Sequence, residues 1–257
     1  MGGVTQTRLV RAGGREVEVH FRRSRRARRL RLWAPPRRGL ELVVPWRCSA
    51  AAVEVFLRQS EPWLAARAAE AQEPGALGLA RPGVAWLAGE PLPLQLREAP
   101  AGARATAALE RGGAALVATA PGSGAEGRAA ALAAVDRWYR REARARLEAA
   151  VAAEAPALGV RPARVTVRDT ASRFGSCSST GTLSFTWRLV VAPPAVLDYV
   201  VVHELCHLHQ PNHSPAFWAL VQAARPGWRA QRDWLHAHGR ELLAWAPQPT
   251  PPHGAPG

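Results

Sequence analysis

Two histidines and a glutamate lie within five residues, in the segment His203-Glu204-Leu205-Cys206-His207. Residues four apart on a helix share one face, so both imidazoles can reach a single metal ion. Zinc accepts such neutral nitrogen ligands, and a catalytic zinc site takes three protein ligands and leaves one position for water. Glu204 lies where a carboxylate can act on the metal-bound water as general base without binding the metal. This spacing predicts zinc-assisted hydrolysis.

A third ligand is expected just beyond the helix. His213 follows the second histidine of the segment by six residues, and Pro211 between them ends the helix so that the chain can turn back toward the ion. We therefore predict His213 as the third ligand. His209 points to another face and is predicted to be a surface group or to support a ligand. His236 and His238 stay as alternative third ligands, although their spacing from the other two histidines does not favour them.

The helix that carries the segment, predicted over about Ala195 to His209, is apolar on nearly every face, which indicates a buried helix. Pro193 and Pro194 suit its first turn, where a missing N–H costs little. Burying two histidines and a glutamate without partners would cost several kcal/mol. A shared metal ion compensates that cost, whereas a purely structural role needs separate hydrogen-bond partners.

Elements on either side of this helix complete a C-terminal core. The sequence predicts a helix from Arg128 to Ala155, and strands at 165–168 and 183–191 joined by a turn at Gly175 and Ser176 to Gly181. Two further helices are predicted near 214–223 and 229–243.

The N-terminal half is predicted to be richer in strands. Alternating residues predict extended structure over 15–46, with a turn at Pro35 to Gly39, and weaker strands at Val84–Leu87, Leu92–Leu96 and Ala114–Ala118. Ser49 can cap a helix that runs to about Gln72 and that Pro62 breaks or kinks. We therefore predict an α+β fold: a β-rich region with one helix (1–125) packed on a zincin-like core (126–246), followed by a disordered tail (247–257). Whether these form two domains or one continuous fold stays open.

Composition limits the class of protein. The chain has 257 residues, 47% of them hydrophobic, with ten Trp, which is ample material for a packed core. No apolar stretch approaches the roughly 20 residues of a membrane span, and no signal-peptide pattern follows Met1, so we expect a cytoplasmic protein without a membrane partner. Cys48, Cys177 and Cys206 are odd in number and far apart, which argues against a disulfide framework.

The formal net charge of +14 keeps a nucleic-acid partner open. All 34 basic residues are Arg, and Ala, Gly and Pro are abundant, a bias typical of GC-rich coding whatever the function. The run from Arg22 to Arg29 is most simply a solvated rim.

Two long segments, Asp198–Leu208 and Asn212–Trp218, closely resemble the YgjP-like metallopeptidase family, which is related to the SprT-like proteases. The segments 173–178 and 187–190 match that family too, and the resemblance covers roughly residues 15 to 245. Two departures are visible: Phe174 stands where the family usually has Trp, and Thr186 where Asn is common.

The resemblance implies a zinc-dependent peptidase acting on proteins or peptides, with ligands His203, His207 and His213 and the catalytic Glu204. Two alternatives stay open. One is a SprT-like protease that DNA recruits through the basic surface; the other is a non-catalytic fold held together by zinc. Oligomeric state is not predicted.

Several neighbouring residues allow two interpretations. Cys177 either lines the cleft or packs as a small hydrophobe, and Gly175 is expected to serve a tight turn. Cys206 is predicted to be a core contact. Tyr199 is a candidate to assist the oxyanion, with a core tyrosine as the simpler alternative. The aromatic pair at 217 and 218 is expected to pack the following helix.

Overall fold

The structure is a computed structural model that describes residues 5–34, 39–72 and 77–250. Two compact units divide the chain, Met1–Pro74 and Gly75–Gly257. The boundary near residue 125 that the sequence predicted lies within the second of these units. Among the described residues, no helix is both long and apolar enough to cross a membrane.

The first unit is a four-stranded sheet with two helices. Its strands are β1 (Thr5–Ala12), β2 (Arg15–Ser24), β3 (Arg31–Trp33) and β4 (Leu40–Pro45), in the spatial order β1-β2-β4-β3. The pair β2 and β4 is parallel, and the other neighbours are antiparallel. Strand β1 was missed by the sequence analysis, and residues 35–38 of the predicted turn lie outside the described residues.

The predicted helix after Ser49 consists of two helices, α1 (Ala50–Gln59) and α2 (Glu61–Gln72). The Ser49 hydroxyl caps α1 by accepting a hydrogen bond from the Ala52 N–H at 3.2 Å. The break comes just before Pro62, which lacks the N–H needed to continue a helix. Side chains from the sheet and both helices form the core of this unit, including Val19, Leu42 and Leu64.

The second unit begins with another four-stranded sheet. Its strands are β5 (Val84–Leu87), β6 (Glu90–Ala99), β7 (Thr106–Leu109) and β8 (Leu116–Pro121), in the order β5-β6-β8-β7. The long helix α3 (Ala125–Glu154) packs against this sheet. The buried Tyr139 hydroxyl of α3 donates to the Trp86 carbonyl at 2.8 Å and accepts from the Trp86 N–H at 3.1 Å.

A three-stranded sheet follows, formed by β9 (Arg164–Arg168), β10 (Gly175–Cys177) and β11 (Thr182–Thr186) in the order β10-β11-β9. Two expectations were wrong here. The predicted strand 183–191 ends at Thr186, and residues Trp187–Val191 form a 3-10 helix. Gly175 is part of strand β10 and not of a turn, which lies at 178–181 instead.

Three helices complete the second unit: α4 (Pro194–Cys206), α5 (Pro215–Ala224) and α6 (Trp228–Ala244). Helix α4 is buried on nearly all sides, as predicted. Residues 251–257 of the predicted tail lie outside the described residues, whereas the Gln248 carbonyl accepts a hydrogen bond from the Gly83 N–H at 2.8 Å. Three sheets and six helices over the described residues confirm the α+β class.

Candidate metal centre

The end of α4 and the start of α5 place three histidines together. His203 lies in the last turn of α4, His207 is the residue at its C-terminal cap, and His213 directly precedes the residue that caps α5. A ligand nitrogen from each lies within 4.8 Å of those of the other two. The Nε2 atoms of His203 and His213 are 3.0 Å apart.

Local hydrogen bonds fix the turn between the helices. The Nδ1 atom of His207 lies 2.9 Å from the Gln210 carbonyl, which can only accept, so the proton resides on Nδ1 and the Nε2 lone pair is free. The Ser214 hydroxyl accepts from the Phe217 N–H at 3.4 Å, and Pro215 occupies the first turn of α5. The chain after Pro211 is thus held where His213 meets the other two rings.

Two aromatic residues of α5 hold the imidazole rings. The Phe217 ring is stacked on His207 at 4.5 Å between centroids and contacts His203 edge to face at 4.9 Å. The Trp218 ring is stacked on His213 at 5.7 Å. Both were expected to pack the following helix: Phe217 is fully buried, and the Trp218 ring stacks on Trp228 of α6 at 4.4 Å. The same two rings also contact the three histidines and restrict the rotation of each imidazole.

Burial keeps the innermost imidazole neutral. Desolvation, together with smaller contributions from the neighbouring His207 and His213, lowers the pKa of His203 to about 3. Burial also lowers the pKa of His213, which is more exposed. An imidazole must be neutral to bind a metal, so at neutral pH His203 needs to lose no proton first.

The carboxyl of Glu204 is buried beside strand β10 and lines the same cavity as the histidines. The residue is 5% exposed, and burial raises the pKa of Glu204 to about 7 against the opposing influence of the Arg173 guanidinium. A Cβ added to Gly175 would lie 2.5 Å from Glu204 Oε1 and 2.6 Å from its Cγ. Glycine at position 175 therefore provides the space that this carboxylate occupies.

An open cavity of about 660 Å³ lies over the histidines and Glu204, and strand β10 forms one of its walls. This volume falls in the range of small-ligand and substrate clefts. Strand β10 is at the edge of its sheet. The residues on either side of β10, Phe174 and Ser178, form backbone hydrogen bonds with Thr186 and Thr182. In an antiparallel ladder, successive residues of a strand point their N–H and carbonyl groups alternately toward and away from the neighbouring strand. The backbone groups of Gly175 and Cys177 therefore point away from β11, toward the open edge of the sheet.

The three histidines fit a divalent metal of the zinc type. Nitrogens bound about 2.0–2.1 Å from one ion at tetrahedral angles lie roughly 3.3 Å from each other. His203 and His213 are close to this separation at 3.0 Å, and the ligand atom of His207 lies within 4.8 Å of theirs, so a small movement would bring it into reach. The donor set is three neutral imidazoles, which suits zinc and similar transition metals better than magnesium or calcium. Glu204 is not part of the group of candidate ligands.

The other candidates lie apart from this group. His209 Nε2 donates to the Leu158 carbonyl at 2.9 Å, and neither His236 nor His238 belongs to a possible metal-binding group among the described residues. Cys206 is fully buried in the core, as predicted. Tyr199 is 4% exposed and stacks on the Trp228 ring at 6.3 Å, which favours the core interpretation.

The profile of the protein family described as YgjP-like, metallopeptidase domain, matches residues 28–238. No match was found among curated proteins or among solved structures. A metallopeptidase domain implies a metal cofactor and a hydrolase that acts on protein or peptide substrates, and the three clustered histidines could bind such a metal. The match spans most of the chain, which therefore belongs to the YgjP-like metallopeptidase family.

Proposed function

We propose that the protein is a zinc-dependent peptidase in which His203, His207 and His213 bind the metal and Glu204 is the general base. The observation that carries this proposal is the convergence of three ligand nitrogens within 4.8 Å of one another, beside a buried carboxylate that is not among them. In this proposal α4 is the HExxH helix of a zincin-like core within residues 126–246.

Zinc bound to these residues would supply a Lewis acid that polarises the scissile carbonyl and makes water a nucleophile at neutral pH. Glu204 takes the proton of the attacking water and transfers it to the leaving amine, since one carboxyl can serve in both directions. The space at Gly175 keeps this carboxylate on the cavity side. The Gln210 carbonyl orients His207, and Phe217 supports its ring.

The outward backbone groups of β10 support a peptide substrate in extended conformation. A peptide that pairs with an edge strand obtains main-chain hydrogen bonds whatever its side chains are. Bound along Gly175 and Cys177, its backbone would pass through the cavity that holds the histidines and Glu204.

A non-catalytic fold held together by zinc is the competing proposal, and a closed fourth coordination position would characterise it. The open cavity over the three histidines favours a position accessible to substrate. A buried glutamate beside the ligands has no evident role in a purely structural site.

The test is the variant Glu204→Gln, which has nearly the same shape and lacks the basic oxygen. Zinc content is measured by mass spectrometry of the metal, and cleavage is measured on a mixture of peptides of diverse sequence. We expect one zinc per chain in both proteins and cleavage by the wild type alone. Equal cleavage by both proteins would refute the role of Glu204, and zinc-loaded wild type without any cleavage would favour the non-catalytic fold.

A further inference from the structure

We propose that one end of the first unit's sheet is a binding surface for single-stranded nucleic acid. This end carries seven exposed arginines and is here called the arginine end. Its members are Arg23, Arg25, Arg26, Arg28, Arg29, Arg31 and Arg47. The proposal concerns the first unit alone and does not depend on the function of the metal centre.

The topology of the sheet brings these arginines together. Strands β2 and β4 are parallel and end side by side, with Ser24 opposite Pro45. Strand β3 runs antiparallel to β4 and begins at the same end, with Arg31 opposite Val43. The connection from β2 to β3 and the residues after β4 therefore lie at the same end of the sheet. Arg47 is one of the residues that follow β4.

The charge at this end is not compensated by carboxylates. Seven of the ten residues from Arg22 to Arg31 are Arg, and the sequence has no Asp or Glu between Glu18 and Glu41 or between Glu41 and Glu54. Among the described residues at this end of the sheet, Arg22, which is not counted in the arginine end, is the one arginine that pairs with a glutamate, through a 2.6 Å contact to Glu41. Within the described part of the chain, no carboxylate forms an ion pair with any of the seven.

Several arginines of the second unit, unlike those of the arginine end, pair with carboxylates. They include Arg97, Arg140, Arg144, Arg146 and Arg225, at 2.7 to 3.3 Å. A compositional bias alone would raise the number of Arg in both units and would not remove carboxylates from one end of one sheet.

An exposed aromatic ring lies among these arginines. Trp46 is 46% exposed, and the Arg25 guanidinium lies over its ring at 4.9 Å from the centroid. The Arg23 Nη1 donates to the Trp46 carbonyl at 2.9 Å. Guanidinium groups bind phosphate oxygens, and exposed aromatic rings stack on unpaired bases, so the two together fit a single strand.

An anionic membrane is less well matched to this surface. Binding at a membrane surface adds insertion of several apolar side chains to the attraction of basic residues. The other large hydrophobic side chains that are strongly exposed in the described chain, Leu9 and Val55, belong to β1 and α1 and not to the loop between β2 and β3.

The test compares two variants of the full chain that lose the same charge. Binding of an end-labelled oligothymidylate of about 20 nucleotides is measured by fluorescence anisotropy at several salt concentrations. The first variant replaces three residues of the arginine end by Gln, and the control replaces three carboxylate-paired arginines of the second unit by Gln. The first variant changes Arg25, Arg26 and Arg28. The control changes Arg97, Arg144 and Arg146.

Three lost phosphate contacts reduce the slope of log K against log salt by about 2 and weaken binding roughly a hundredfold at about 0.1 M salt. The control is expected to bind within about twofold of the wild type, and Trp46→Leu to lose roughly fivefold or more through stacking. Equal weakening in both triple variants, or no binding by the wild type, would overturn the proposal. The proposal would also be overturned if the wild type bound vesicles with about 30% phosphatidylserine more tightly than the oligothymidylate, and if only the first variant lost that vesicle binding. That result would assign the surface to membranes.

Discussion

Replacing Gly175 with alanine is the most specific perturbation of the proposed general base. The added Cβ would lie 2.5 Å from Glu204 Oε1, 2.6 Å from its Cγ and 2.8 Å from its Cδ. A relaxed carbon contact needs about 3.4 Å or more, so the carboxylate or strand β10 must move by about 1 Å. A shift of 1 Å in a catalytic group can lower the rate about a hundredfold, which corresponds to about 2.7 kcal/mol.

We therefore expect Gly175→Ala to reduce kcat/KM for peptide cleavage roughly a hundredfold while zinc content stays at one per chain. Overpacking costs about 1–3 kcal/mol of stability, so the variant is compared below its unfolding transition. Gly227→Ala is the matched control, because a Cβ there meets nothing within 4 Å at an ordinary backbone conformation. Its activity is expected to equal that of the wild type.

A second variant tests whether the effect passes through Glu204. Glu204→Ala removes the Cγ, Cδ and Oε1 atoms that the new methyl group meets, so the loss of about 1–3 kcal/mol of stability that Gly175→Ala causes in the wild type should vanish in that background, as measured by unfolding in urea. Wild-type activity in Gly175→Ala would refute the argument. So would an equal loss of stability in both backgrounds, since position 175 would then act independently of the Glu204 side chain.

Three further predictions concern the packing of the second unit, each measured as the free energy of unfolding in urea. Asp169→Ala should cost about 3 kcal/mol, because the buried Arg188 guanidinium loses its 2.7 Å partner; a loss below about 1 kcal/mol would contradict this. Gly239→Ala should cost about 1–3 kcal/mol because the new Cβ would lie 2.5 Å from the Phe174 ring, and the cost should vanish when Phe174 is also Ala; an equal cost in both backgrounds would refute the clash. Tyr139→Phe should cost about 1–3 kcal/mol, because a buried N–H and carbonyl of β5 lose their shared partner, and a neutral result would show that they have another.

The predictable parts of the fold are those in which the local residue pattern matches the burial and the ends of the element in the structure. Helix α4 is apolar all round and is buried, and the proline pair at 193 and 194 marks its start. Ser214 is a local signal as well, because its hydroxyl caps α5. Helix α4, in contrast, ends at Cys206, before the predicted end at His209 and ahead of Pro211. The convergence of the three histidines rests on these short-range features, which is why spacing alone indicated it.

The elements that were missed depend on contacts with distant residues. The run at 187–191 has the composition of a strand, yet the buried Arg188 donates to the Trp245 carbonyl at 2.7 Å and pairs with Asp169, and the backbone forms a 3-10 helix there. Strand β10 consists of small residues typical of turns and exists because it pairs with β11. Strand β7, rich in Ala, likewise depends on pairing with β8.

The position of the division between the units could not be read locally either. The Pro/Gly-rich loop 121–124 is a strong break in the sequence, but the sheet before it packs against α3, which follows it. Tyr139 connects these two elements by hydrogen bonds to the backbone of β5. The role of Gly175 was also hidden, because the sequence does not reveal that Glu204 occupies the space where its side chain would be.

Anomalous X-ray diffraction at the zinc edge, on crystals of the protein grown with zinc, would show directly whether the three histidines bind one metal ion. We expect one strong peak about 2.0–2.1 Å from a nitrogen of each of His203, His207 and His213, with the fourth position held by a non-protein oxygen and Glu204 outside bonding distance. A site in which Glu204 or a fourth protein side chain completes the coordination would contradict it, as would the absence of a peak among the three histidines.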